Sequence, residues 1–131
     1  MHSKVLLILA VEDNEVHGYA LKKILENEGF KVALAGSGNS GLRSAELLKP
    51  DLVLLDVNLP DMDGFTVCRR LKEMARERKQ HLPVVIYTAQ DSSVRQDAKA
   101  CGADCFLTYP VEPQDLVTVI KGTLSRSIKS M

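Results

Sequence analysis

Charge of neither sign is in excess. Seventeen lysines and arginines balance seventeen aspartates and glutamates, which removes the footprint expected of a chain that binds nucleic acid or a membrane surface. No apolar run approaches the length that spans a bilayer. Cysteine is scarce: Cys68, Cys101 and Cys105 are too few, and odd in number, for a disulfide framework. Cys101 and Cys105 also lack the CxxC spacing and neighbouring histidines of a zinc site, so buried free thiols and a cytoplasmic location are the natural reading. His2, His17 and His81 are scattered and mark no site. There is no long linker, repeat or low-complexity segment. The opening MHSKVLLILAVED runs into acidic residues with no small-residue cleavage site and reads as a first strand rather than a signal peptide. The basic run Arg69-Arg70-Leu71-Lys72, continuing to Lys79, is interleaved with Glu73 and Glu77 and reads as a solvated helix face.

What is present fits one domain over residues 1–131, with about 126–131 as a frayed tail. Val5 to Val11 reads as a buried strand, and Asn14 to Glu28 as a helix closed by Gly29 at a C′ position. Phe30 to Ala35 is a second strand, and Ser40 to Leu48 a short helix stopped by Pro50. Leu52 to Leu55 is an unbroken apolar run ending on Asp56, as in the middle of a parallel sheet. A helix from near Gly64 places Cys68, Leu71 and Ala75 on one face. Leu82 to Thr88 is a fourth strand, with Pro83 at its start, where a missing donor is tolerated. Asp91 to Ala100 reads as a helix ended by Gly102, and Asp104 to Thr108 as a fifth strand. A last helix runs from Pro113 to Ile128 with Leu116, Ile120 and Leu124 inward. Five strands alternating with five helices predict an α/β fold, a doubly wound parallel sheet with helices on both faces.

In a parallel sheet the carboxyl ends of the strands share one edge, where open α/β sheets build their sites. Glu12 and Asp13 end the first strand, Asp56 the third, Thr88 and Ala89 the fourth. Three carboxylates brought together there repel unless a cation is present, and hard oxygen ligands at a partly hydrated site suit Mg²⁺. Asp13 also fits an N-cap of the first helix. Thr88 alone reads better as a β-branched strand residue, and Phe106 alone as core.

Taken together, the pieces resemble the receiver domain of two-component response regulators, over essentially the whole chain. They are Glu12-Asp13, Asp56 with its turn Asn58-Leu59-Pro60-Asp61-Met62-Asp63-Gly64, Thr88-Ala89, and Gly102-Ala103-Asp104. The resemblance implies a flavodoxin-like fold and a non-enzymatic phosphoprotein. Asp56 would accept a phosphoryl group from a histidine kinase, a phosphotransfer protein or a small phosphodonor. It implies that Glu12, Asp13, Asp56 and the main-chain carbonyl of Asn58 hold Mg²⁺. Thr88 would donate its hydroxyl to the phosphoryl oxygens, and Phe106 would be the aromatic switch residue. The implied partners are the kinase and a downstream output protein or domain, with no direct nucleic-acid or membrane contact; a homodimer is compatible with it.

One position departs from the pattern. The family places a lysine before the proline that follows the fifth strand; here that residue is Tyr109, and no lysine lies between Lys99 and Lys121. Phosphorylated Asp56 with Glu12 and Asp13 would carry roughly four negative charges, of which Mg²⁺ offsets two and the lysine would offset a third. Tyrosine supplies a hydrogen bond but no charge, and a contact pair of unit charges is worth on the order of 4 kcal/mol at an effective dielectric of 20. Weaker phosphoryl stabilisation, poorer coupling to output and stronger dependence on metal are expected. The resemblance also implies a cis Tyr109–Pro110 bond.

Two other readings stand beside this one. The first is a receiver-like module that binds protein regardless of phosphorylation. The second rests on Gly36-Ser37-Gly38-Asn39-Ser40-Gly41, a GxGxxG stretch between strand and helix with Asp56 about twenty residues on, as in dinucleotide-binding folds. It follows the second strand rather than the first and leaves Glu12-Asp13 and Thr88-Ala89 unexplained; a loop with a Ser or Asn N-cap is its plain reading. A stand-alone receiver and a piece of a longer chain are both compatible with the sequence.

Overall fold

The structure, a computed structural model, describes residues 4–89 and 95–129. Strands and helices alternate: β1 Leu7–Val11, α1 Glu15–Glu26, β2 Lys31–Ala35, α2 Gly38–Leu48, β3 Leu52–Asp56, α3 Gly64–Glu77, β4 Val84–Thr88, α4 Arg95–Ala100, β5 Cys105–Thr108 and α5 Pro113–Lys129. All four pairings are parallel, in the order β2-β1-β3-β4-β5. The expected doubly wound α/β sheet is therefore what forms.

The unbroken apolar strands acquire their meaning from this arrangement. Side chains alternate across a strand, so a strand covered on both faces needs apolar residues at every position. Leu9 and Val11 of β1, Val53 and Leu55 of β3, and Val84 and Ile86 of β4 point into one core with Val67, Cys68, Leu71 and Ala75 of α3. Ile8, Ala10, Leu52, Leu54, Val85 and Tyr87 point into the other, against Leu21 and Leu25 of α1 and Leu116, Ile120 and Leu124 of α5. A fully buried aliphatic side chain contributes about 1.5–3 kcal/mol, so two such layers hold β3 and β4 as the rigid centre.

Boundaries differ from the expected ones for identifiable reasons. β1 starts at Leu7, whose N–H is taken by the Asp51 side chain, and Val5 is left outside it, 54% exposed. Asn14, not Asp13, caps α1: its side chain accepts the His17 N–H at 2.9 Å. α2 starts at Gly38, inside the glycine-rich stretch, under a capping box from Ser37 and Ser40. α5 continues to Lys129, through Arg126 and the buried Ser127, residues expected to fray; Ser130 and Met131 lie outside the described residues. The expected start of α4, residues 91–94, also lies outside them. Among the described residues, no helix is long and apolar enough to cross a membrane.

Candidate functional site

β1 and β3 are neighbours in register, Val11 opposite Leu55, so the residues that follow them meet at one edge. One carboxylate oxygen each of Glu12, Asp13 and Asp56 lies within 4.8 Å of the others. Asp13 is exposed, but Glu12 and Asp56 are only 6% and 2% accessible. Burying two carboxylates side by side is costly unless they are paired or share a proton. The strain shows in Asp56. Burial raises its pKa to about 6, and the charges of Glu12 and Asp13 add to the rise against a 3.0 Å hydrogen bond from the Asn58 N–H. At neutral pH it is still mostly ionised, so the edge carries close to three negative charges within a few ångströms.

Glu12 behaves in the opposite way. Burial would raise it, yet hydrogen bonds from Tyr87 and the Asn14 N–H, with His17 alongside, bring it below its ordinary value. The Tyr87 hydroxyl donates to Oε1 at 2.7 Å, His17 Nδ1 lies 2.5 Å from the same oxygen, and the Asn14 N–H reaches Oε2 at 3.1 Å. Neither Tyr87 nor His17 was expected at the site; His17, in particular, was expected to mark none. The fold brings them there. Tyr87 sits opposite Asp56 in the β3–β4 register, and His17 follows Glu12 by five residues, in the first turn of α1.

Tyr109 lies half-buried against both. Its ring centroid is 4.9 Å from that of His17 and 5.2 Å from that of Tyr87, and the His17 and Tyr87 rings meet edge-on at 5.6 Å. Burial, then the charges of Asp56 and Glu12, push the Tyr109 phenol up to about 12, so it stays a neutral donor at physiological pH. The Tyr109–Pro110 bond is cis. Among the described residues no lysine or arginine forms an ion pair with Glu12, Asp13 or Asp56; the one basic side chain in such contact is His17.

Thr88 closes β4, fully buried, with its carbonyl accepting the Tyr109 N–H at 3.0 Å. Phe106 is opposite Ile86 in β5 and packs, half-buried, against the core under α3 and α4. Asn58 is exposed just beyond Asp56 and bridges to Asp63. Asp63 caps α3 by accepting the Phe65 N–H. α3 then leans on the end of β3 so closely that a Cβ at Gly64 would sit 2.4 Å from Val57 Cα and 2.7 Å from the Asp56 carbonyl oxygen.

The glycine-rich stretch serves packing instead. A Cβ at Gly41 would fall 2.9 Å from Val11, and one at Gly38 2.3 Å from Met62. The first N–H groups of α2 are also already spoken for. Asp61 accepts from Gly38 at 2.7 Å and from Asn39 at 2.9 Å, occupying the place where a dinucleotide pyrophosphate would have to dock.

Comparison with known proteins gives the family. The family model for the response regulator receiver domain matches residues 8–121. The chain is 37% identical over 121 residues to the alkaline phosphatase synthesis transcriptional regulatory protein PhoP of Bacillus subtilis, covering 92% of this chain and 49% of that one. It is 42% identical over 106 residues to response regulator PleD of Caulobacter vibrioides, covering 80% and 23%. It thus spans about half or less of these curated relatives. Among solved structures, a CheY-like response regulator receiver domain protein from Methanospirillum hungatei superposes with a TM-score of 0.91 at 29% identity, covering 98% of this chain and 100% of that one. A putative response regulator from Chloroflexus aurantiacus gives 0.86 at 32%, covering 93% and 99%. On sequence and fold together, the chain belongs to the response regulator receiver domain family.

Proposed function

We propose that the domain accepts a phosphoryl group on Asp56 in a cytoplasmic two-component pathway, with Mg²⁺ held by Glu12, Asp13, Asp56 and the Asn58 carbonyl. The observation that carries this reading is the crowding of three carboxylates at one strand edge, with Asp56 2% exposed and its pKa raised to about 6. Such a donor set fits a hard divalent cation that keeps some of its waters. When bound, the ion supplies charge neutralisation between the carboxylates and the incoming phosphoryl oxygens.

The chain's own residues supply the rest. Asp56 is mostly ionised at neutral pH and is the nucleophile. A carboxylate oxygen attacks phosphorus, the bond from phosphorus to the donor's nitrogen or oxygen breaks, and that group leaves with the electron pair. The Asn58 N–H fixes the rotation of the Asp56 carboxylate. Thr88, at the end of the neighbouring strand, donates its hydroxyl to a phosphoryl oxygen, and Phe106, on the matching face of β5, is the aromatic residue that switches with it. Tyr109 offers a neutral donor where a charge would otherwise sit, so phosphorylation leans more heavily on the metal. The donor is a histidine kinase or phosphotransfer protein, and the output is a change of protein contacts.

The test is intact-protein mass after incubation with Mg²⁺ and acetyl phosphate, wild type beside Asp56→Asn. A single phosphoryl adduct on wild type alone is expected. An adduct of equal yield on Asp56→Asn, or in the presence of a chelator, overturns the reading.

A further inference from the structure

Glu12 is held far more tightly than Asp13 or Asp56. A carboxylate has about four lone-pair positions. On Oε1, Tyr87 and His17 take both, and on Oε2 the Asn14 N–H takes one. Because a carboxylate only accepts, His17 must present Nδ1 as N–H to Glu12, which fixes its tautomer. The donors themselves are rigid. Tyr87 is 2% exposed on the interior strand β4, in one buried cluster with Ile8, Ala10 and Leu54, and Tyr109 packs its ring against both Tyr87 and His17. The side chain that stands where the family has a lysine therefore packs against the two rings whose polar ends, Tyr87 Oη and His17 Nδ1, converge on Glu12.

From this we infer that Tyr87 and His17 are positioning residues for Glu12, presetting it as a one-oxygen ligand, through Oε2, for the divalent cation. The inference rests on the metal reading above. With Oε1 saturated, Glu12 cannot chelate through both oxygens, and its orientation is set before any ion arrives. Two effects oppose each other. Donors draw electron density from a ligand and weaken it, but without them the carboxylate turns freely. Loss of the partner that orients a metal ligand typically costs about 10–100-fold in affinity, so orientation outweighs the electronic effect. Tyr109 acts one step further out, by holding the two rings in place.

The experiment is calorimetric titration of the whole chain with Mg²⁺, and with Mn²⁺ as a tighter-binding probe, for wild type, Tyr87→Phe, His17→Phe and Tyr19→Phe. Both phenylalanine replacements keep a ring in the cluster and remove only the polar contact; Tyr19 is an exposed tyrosine whose ring lies beside Lys23. The expected result is at least about 10-fold weaker binding in Tyr87→Phe, several-fold weaker in His17→Phe, and wild-type affinity in Tyr19→Phe. Melting temperatures in chelator, measured alongside, separate this from plain destabilisation, because a purely structural role would move them and leave affinity unchanged. Unchanged or tighter binding in Tyr87→Phe overturns the inference, and should that variant fail to fold, His17→Phe decides it in the same way. Absence of binding by wild type overturns the metal reading itself, and this inference with it.

Discussion

The two edges of the sheet treat their carboxylates in opposite ways. At the amino edge, Asp51 stands just before β3, accepts the Leu7 N–H at 2.8 Å and pairs with Lys4. Asp104 stands just before β5, accepts the Val84 N–H at 2.8 Å and pairs with Lys72, which also reaches the Leu82 carbonyl. Each thus caps the first N–H of a neighbouring strand and meets a lysine. At the carboxyl edge, Glu12, Asp13 and Asp56 gather with no lysine or arginine among the described residues to meet them. One edge uses acids to fasten strands; the other stores repulsion that a cation can relieve. Lys72 also shows that the run read as a solvated face contains one residue with a structural task.

This contrast can be broken most sharply at Asp56. Asp56→Asn should abolish the phosphoryl adduct seen by mass, while leaving far-ultraviolet circular dichroism unchanged. Next in size is a stability effect. Asp56 titrates at about 6 in the fold against an ordinary 3.8, so the native state holds the proton more tightly between those values. Its contribution is complete below about pH 4 and is lost as pH rises to about 6, by about 3 kcal/mol at most; the lowered Glu12 works in the other direction. Chemical denaturation in chelator should show this decline, Mg²⁺ should reverse it, and Asp56→Asn should be about 1–2 kcal/mol more stable than wild type at pH 7.

At the amino edge the sign reverses. Asp104→Ala orphans the Val84 N–H and Lys72 together, and should cost about 1–2 kcal/mol in urea denaturation without altering metal affinity. Tyr109→Lys brings a cation to the carboxyl edge, and the Mg²⁺ concentration for half-maximal phosphorylation should fall several-fold. Smallest of all is Lys4→Ala. The Lys4 side chain is 75% exposed, and its loss should shift stability by no more than about 0.5 kcal/mol.

The fold was legible because apolar runs of strand length, bounded by helix caps and glycine, admit one arrangement: a parallel sheet buried on both faces. The three carboxylates were legible for a related reason, since strand ends in such a sheet share an edge. The partners of Glu12 were not. Finding Tyr87 needs the register of β4 against β3, and finding His17 needs the angle at which α1 leaves β1, and neither is written in local spacing. The GxGxxG stretch was rightly read as a loop with a Ser N-cap, but what its glycines serve was hidden in the same way. Glycines there answer to Val11 and Met62 across the core, and the helix end they open is closed by Asp61 from a loop more than twenty residues later in the chain.

Gly64 carries a consequence for how this domain tolerates change. Any side chain there would enter the space of Val57 Cα and the Asp56 carbonyl, and main chain, unlike a flexible side chain, cannot fold out of the way. In a saturation library selected for signalling, position 64 should come up as empty as position 56. The two blanks would have different origins, one chemical and one geometric, and rescue would tell them apart. A compensating substitution elsewhere has no means of restoring a lost nucleophile, whereas a loosened α3 could restore a lost glycine.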